Sequence, residues 1–409
     1  MAVKTLTTRS ARAGWAAAAA AAAVLLVGGC QSNAQADSAG AGGSSSSSTS
    51  SSPSSTSNGA VSLSILPSNG AAAVAPNTTV RVTATGGPIA TVTVKDTKNR
   101  VVNGRLSSDG LTWTASRYLR PSMTYSVNAA SQSGVKSKST FSTFAANITA
   151  TYHLLPSSGS VVGVGMPLTV QFDSPVADSA KADVERNLSV TTSPAVTGSW
   201  GWLDDRQVMF RSASYWKTGT KISLKANLAG VKTGTGKYVG SDASTSYQVG
   251  SAMMSYVNMK THQMKVYKNG KLLRILPVST GRPGPKTETR YGIKVIVSKE
   301  TTHIMDSTSI GIPKGSPGYY RLTTQWAMRL TWSGEFLHSA PWSVGAQGNT
   351  NVSHGCTNLS PSNANWLFGI SKVGDVVKYT GSSRAIEQAN GYTLWNYSWT
   401  DWKKRSARA

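Results

Sequence analysis

Cys356 is one of two cysteines in a 409-residue chain and lies in the run Ser353-His354-Gly355-Cys356-Thr357-Asn358. A second imidazole, His338, sits upstream in Phe336-Leu337-His338-Ser339-Ala340-Pro341-Trp342. A thiol is a weak nucleophile until it loses its proton, and a nearby imidazole both takes that proton and stabilises the thiolate. A third group must then hold the imidazole in the right tautomer. Gly355 removes a side chain beside the sulfur and lets backbone N–H groups face a developing oxyanion. Three chemistries compete for these residues. The first is acyl transfer by a Cys/His pair. The second is a zinc site of His338, His354 and Cys356, a set of only three that lacks a CxxC or HxxxH pair and leaves a position open. The third is an inert core thiol, the commonest state of a lone cysteine. The polar, Gly- and Ser-rich surroundings are loop-like, which ranks acyl transfer first.

The elements around this run are mostly strands. Met264 to Tyr267, the Asn269-Gly270 turn and Leu272 to Leu276 predict a hairpin. Short strands are expected at Gly292 to Val297, Arg329 to Thr331 and Val373 to Tyr379. One helix is expected after Cys356, with Ser360 as N-cap, Pro361 at its first position, Trp366 and Leu367 on its apolar face and Gly369 at its end. Trp395, Trp399 and Trp402 predict an aromatic clasp packed on this region.

Upstream, Ile65-Leu66-Pro67-Ser68-Asn69-Gly70 is echoed 89 residues later by Leu154-Leu155-Pro156-Ser157-Ser158-Gly159. Each copy precedes a strand-like run, Thr79 to Val82 and Leu168 to Phe172, and alternation continues at Thr91 to Lys95, Leu111 to Ala115, Thr124 to Val127 and Ile222 to Leu228. The pairs Asn103-Gly104 and Asp109-Gly110 read as turns. Two immunoglobulin-like β-sandwiches follow from this spacing. Nothing in them converges chemically, so a spacer role outranks wall binding. Trp200, Trp202 and Trp216 are expected in their cores rather than on a sugar platform.

The N-terminus reads as an address. Lys4, Arg9 and Arg12 precede an apolar run from Trp15 to Val27, too short to span a bilayer and suited to a signal peptide. Residues 31–59 are Ser/Gly/Ala-rich, and such a composition predicts a tether with a root-mean-square span of roughly 30 Å. The formal charge is +24 although only 14% of residues are charged. Outside a membrane that surplus favours anionic lipid or wall polymers. Nucleic acid is disfavoured by the export signal and by the lack of a basic cluster.

Two resemblances sharpen this reading. Leu26-Val27-Gly28-Gly29-Cys30 resembles a bacterial lipobox, which implies lipidation of Cys30, a membrane anchor and an extracytoplasmic position facing the wall. His338, fourteen intervening residues and Ser353-His354-Gly355-Cys356-Thr357-Asn358 resemble the signature of the L,D-transpeptidases with a YkuD-type catalytic domain. The likeness extends to Ile304-Met305-Asp306-Ser307, a flap-like Gly315 to Tyr320, Ser333-Gly334 and Trp395 to Trp402. The implied fold is mainly β: signal peptide 1–29, linker 30–59, immunoglobulin-like domains 60–148 and 149–250, catalytic domain 251–380, and a C-terminal subdomain 381–409 packed on it. The implied activity is 3→3 cross-linking of peptidoglycan stem peptides through a thioester on Cys356, with release of D-alanine and no cofactor or metal. A carboxypeptidase outcome uses the same residues, and a non-catalytic wall-binding lipoprotein is the alternative of another class. By resemblance His338 is the base, oriented by the Ser339 carbonyl, and His354 is a support. Gly355, Cys356 and Tyr320 form the oxyanion hole. Met305, Tyr320, Ser333, Gly334, Trp342, Ser353 and Asn358 contact the stem, and β-lactams of the carbapenem class are implied inhibitors. Ile310 in the pocket and Thr287-Glu288-Thr289-Arg290 before Gly292 depart from the family pattern.

Overall fold

The computed structural model describes residues 60–409; the signal, the linker and Cys30 lie outside them. The chain is mainly β, as expected. The first module pairs a four-stranded sheet (Ser62–Leu66, Arg81–Thr85, Thr112–Ala115, Gly104–Leu106) with a three-stranded one (Ile89–Asp96, Thr124–Ser131, Lys136–Ser142). Alternation aims Val82, Ala84, Val94, Trp113, Tyr125, Val127 and Phe141 into one core. The second module repeats the plan and adds the helix Asp178–Arg186. The two sequence echoes occupy equivalent places. Ser139 donates to the Pro67 carbonyl and Thr245 to the Pro156 carbonyl, each at 2.8 Å, and Gly70 and Gly159 adopt φ of 82° and 80°. Trp200, Trp202 and Trp216 are buried in the second core.

Asp109-Gly110 is a turn, but Asn103-Gly104 is not. Gly104 begins a strand, paired with Ala115, and the Trp113 ring leans over it, 2.1 Å from where a Cβ would stand. That glycine makes room for an aromatic ring rather than a reversal.

The last domain holds a five-stranded sheet, Lys271–Pro277, Gln263–Lys268, Met253–Asn258, Val376–Thr380 and Gly292–Val295 in spatial order. Its hairpin closes at Asn269-Gly270, both at positive φ. A second sheet runs Ser298–Asp306, Arg321–Arg329, Phe336–Ser339 and Thr357–Leu359. The strand expected at Arg329–Thr331 is therefore the end of a longer one; Leu330 to Thr331 already turn back, with Leu330 N–H on the Glu335 carbonyl. The helix is Pro361–Ile370, with Ser360 Oγ accepting from Asn363 N–H. Gly369 lies inside its last turn and Ser371 caps it.

The C-terminal segment corrects an expectation. Residues 383–396 do pack on the catalytic domain, through Glu288 on Ser383 and Asn396 on Ile293. The tryptophan clasp instead grips the second β module. Trp395 donates to the Gly165 carbonyl (2.7 Å) and Trp402 to the Ser199 carbonyl (3.0 Å), while the Arg211 guanidinium lies within 5.5 Å of the centres of Trp395, Trp399 and Trp402. The reason is room: Gly201 leaves space that the Trp402 ring fills, 2.7 Å from where a Cβ would stand. The second module and catalytic domain consequently share a core that includes Val170, Phe172, Val295, Val376, Trp395 and Trp402. Gly163 and Gly165 donate to the carbonyls of Val373 and Gly374, both at 2.8 Å, closing the same seam.

Asp375 is buried at that seam. Its Oδ2 accepts from Lys372 N–H, its Oδ1 has no partner, and burial pushes its carboxyl up to about 7. The folded chain thus keeps this proton at pH values where the unfolded chain has released it, and stability falls as pH rises from about 4 to about 7. Asp375→Asn is expected to raise stability at pH 8 by on the order of 2 kcal/mol and to leave it nearly unchanged at pH 4. Denaturant melts at both pH values check this; equal gains at both would refute it.

Candidate active site

The parallel pair Phe336–Ser339 and Thr357–Leu359 places the chemistry. His338 is in register with Asn358, and Cys356 sits two residues before Asn358, just ahead of the second strand, where its side chain opens on the same side. Both side chains line one cavity of about 230 Å³ with Met305, Tyr320, Leu322, Trp342, Val352, Ser353, His354 and Asn358. A neighbouring cavity, sharing Met305 and Tyr320, is lined by His303, Asp306, Ile310, Arg329, Trp332, Ser333 and Gly334. The far ends of the strands Ser298–Asp306 and Arg321–Arg329, near Met305 and Leu322, form with the loop between them a flap that walls both cavities.

His338 is buried, and its Nδ1 lies 2.8 Å from the Ser339 carbonyl oxygen. A carbonyl only accepts, so Nδ1 carries the proton and Nε2 keeps a lone pair. Burial lowers the imidazole to about 4, with the Ser339 carbonyl opposing. The Cys356 thiol donates to the Gly334 carbonyl at 3.5 Å, in a small apolar cluster with Met305 and Phe336. Burial pushes this thiol up to about 12; the Phe336 N–H, Lys294 and Arg329 pull it down, and Glu335 pushes it up. Both partners rest neutral near pH 7, so the proton moves when a carbonyl is under attack.

His354 lines the same cavity with its ring nitrogen engaged elsewhere. Its Nε2 meets Arg282 at 3.0 Å and its ring packs against Tyr320 at 5.2 Å. Among the described residues no three His, Cys, Asp or Glu side chains converge as metal ligands. Burial holds the Tyr320 hydroxyl up to about 12, so it remains a donor. Of the expected oxyanion donors, Gly355 N–H is occupied: it donates to Ser353 Oγ at 3.0 Å, and Ser353 in turn donates to the Cys356 carbonyl at 2.6 Å. Ser353 is thus a brace for the nucleophile loop. Ser333 and Gly334 lie in the neighbouring cavity, where Asn390 bonds both the N–H and the hydroxyl of Ser333. Asn358 donates to Ser343 Oγ at 3.0 Å, and Trp342 stands 55% exposed at the rim.

Comparison with known proteins gives the family of this fold. Residues 254–378 match the L,D-transpeptidase catalytic domain (YkuD), and residues 71–232 match a bacterial Ig domain (Big_10). The chain is 37% identical to L,D-transpeptidase 2 of Mycobacterium tuberculosis (strain CDC 1551 / Oshkosh) over 84% of each protein. The chain belongs to the L,D-transpeptidase family. L,D-transpeptidase 5 of Mycobacterium tuberculosis (strain ATCC 25618 / H37Rv) is 33% identical, over 85% of this chain and 77% of that one. A solved L,D-transpeptidase, LdtMt1 in complex with imipenem, is 37% identical and aligns over 57% of this chain and 99% of that chain with a TM-score of 0.49.

In this L,D-transpeptidase, whose function is peptidoglycan cross-linking, several residues near the sulfur escape a reading of motifs. Thr289 Oγ1 accepts from Gly281 N–H (2.7 Å) and donates to the Gly355 carbonyl (2.8 Å), so the variant Thr287-Glu288-Thr289-Arg290 loop fixes the nucleophile's neighbour. Glu335 and Lys294 are buried as an ion pair behind Cys356. Their signal in the sequence is faint: one lysine inside the apolar run Gly292-Ile293-Lys294-Val295-Ile296, and one acid after Gly334.

Proposed function

We propose that the protein forms 3→3 cross-links between peptidoglycan stems through a thioester on Cys356. The observation that carries this is the shared cavity of Cys356 and a neutral His338 whose Nδ1–H is tied to Ser339, leaving Nε2 as the base. As the sulfur attacks the carbonyl of the L-centre of meso-diaminopimelate in a tetrapeptide stem, the thiol proton passes to His338 Nε2. The oxyanion is met by the Cys356 N–H and the Tyr320 hydroxyl, joined by Gly355 N–H once Ser353 yields it. Collapse breaks the C–N bond, and the imidazolium returns its proton to the departing D-alanine amine. The side-chain amine of a second stem then attacks the thioester, gives its proton to Nε2, and expels the sulfur, which regains the proton. The two adjoining cavities beneath the flap suit two stems meeting at one sulfur. The strained carbonyl of a carbapenem is the corresponding inhibitor, open to the same thiol. Lipidation of Cys30, and with it a membrane-anchored, wall-facing position, belongs to this proposal on the lipobox resemblance alone.

Replacing Cys356 with Ala tests the reading. With purified disaccharide tetrapeptides, the variant is expected to retain less than about 0.1% of the parent's dimer formation. Equal yields would discard a Cys356-dependent reaction.

A further inference from the structure

We propose that Lys294 and Glu335 are positioning residues for Cys356, a buried ion pair that fixes both chain segments gripping the sulfur and sets the charge it feels. This rests on Cys356 being the reactive group. Lys294 is fully buried, and its Nζ sits 2.5 Å from Glu335 Oε2. Glu335 Oε1 accepts from Arg290 N–H (3.0 Å) and from its guanidinium (3.1 Å). In the chain, Glu335 stands between Gly334, whose carbonyl accepts the thiol's hydrogen bond, and Phe336, whose N–H faces the sulfur. On the other side, Lys294 Nζ lies 3.9 Å from the centre of the Tyr379 ring, and the Tyr379 hydroxyl shares a 2.7 Å hydrogen bond with Thr357, the residue after Cys356. Gly355 closes the ring of contacts: a Cβ there would stand 3.5 Å from Glu335 Cγ.

One lysine thus reaches both strands that hold the nucleophile. A buried ammonium is costly unless paired, and apolar side chains of the same volume pack such a space well. The charge therefore calls for a role beyond filling. The ionisable and charged groups around Cys356 are Tyr320 from the flap, with His303 behind Phe336; Arg329 and His338 from the central strands; Glu335 from the turn before Phe336; His354, bonded to Arg282, from the nucleophile loop; and Lys294, Arg290 and Tyr379 from behind. Lys294 is the only one of these whose side chain is both cationic and fully enclosed.

Alkylation of Cys356 by iodoacetamide, followed by intact mass across pH 8 to 10, reads the thiolate directly and does not depend on transpeptidation. Lys294→Met leaves Glu335 paired with Arg290, and its alkylation line is expected to move to higher pH, at least about threefold slower at each pH. The double variant Lys294→Met/Glu335→Gln removes both charges and is expected to return to within about twofold of the parent. Lys294→Gln, which keeps a donor toward Glu335, shifts in the same direction as Lys294→Met and serves if the methionine variant does not fold. A single variant that alkylates like the parent, or a double variant as slow as the single, overturns the proposal. The expected alkylation pattern in these variants, with a parent protein that forms no cross-linked product, would instead count against the reaction proposed for Cys356 and leave the ion pair's role standing.

Discussion

His338→Gln is expected to slow acylation of Cys356 by about 10³-fold, while the thiol still reacts with iodoacetamide at alkaline pH. The magnitude follows from the resting state. Burial keeps the thiol up to about 12 and the imidazole down to about 4, so almost no thiolate exists before substrate arrives. The enzyme must move the proton during attack, and only a neutral base held in the cavity can accept it. Glutamine has no such lone pair, although it can still bond the Ser339 carbonyl. The pH dependence has a matching sign. His338 is competent when deprotonated, and its lowered value means competence persists as pH falls, failing only through about 4. An acid limb of the acylation rate near pH 4 is expected, measured by imipenem adduct formation. A limb near 6.5 would place His338 in an open, solvated setting that contradicts its burial.

Gly281→Ala is expected to lower acylation by about 10²-fold in a protein that still folds. Here the effect is steric and indirect. A Cβ at position 281 would stand 1.9 Å from the Thr287 carbonyl oxygen, 2.7 Å from the Thr289 nitrogen and 3.0 Å from Gly355 Cα. All three are backbone, so the turn must shift and cannot simply rotate a side chain away. Moving Thr289 frees the Gly355 carbonyl that its hydroxyl now holds, and the Gly355–Cys356 amides lose their alignment. The imipenem acylation rate and a thermal melt together check this. A parent-like rate would show that the oxyanion donors do not depend on this loop.

The legibility of the site followed the locality of its physics. Cys356, His338 and the Ser360 cap were readable because each is announced by residue type and short spacing. The hairpin at Asn269-Gly270 was readable because that turn demands positive φ and the sequence supplies it. What sequence left open is set by tertiary contact. Whether Gly355 N–H is free depends on a serine two residues earlier choosing it as partner. The clasp's choice of the second β module depends on a cavity at Gly201, far away in the chain. The Lys294–Glu335 pair joins a strand to a turn 41 residues later in the chain, so neither residue advertises the other. Gly104 shows the same limit in reverse, since an Asn-Gly pair served ring packing and not a turn.

Intact mass and peptide mapping after incubation with a disaccharide tetrapeptide donor, without acceptor, test the central claim most directly. A donor-minus-alanine adduct is expected on the peptide containing Cys356, labile to hydroxylamine as a thioester is, and absent from Cys356→Ala. An adduct on another residue, or product formation with Cys356 never modified, would contradict the account.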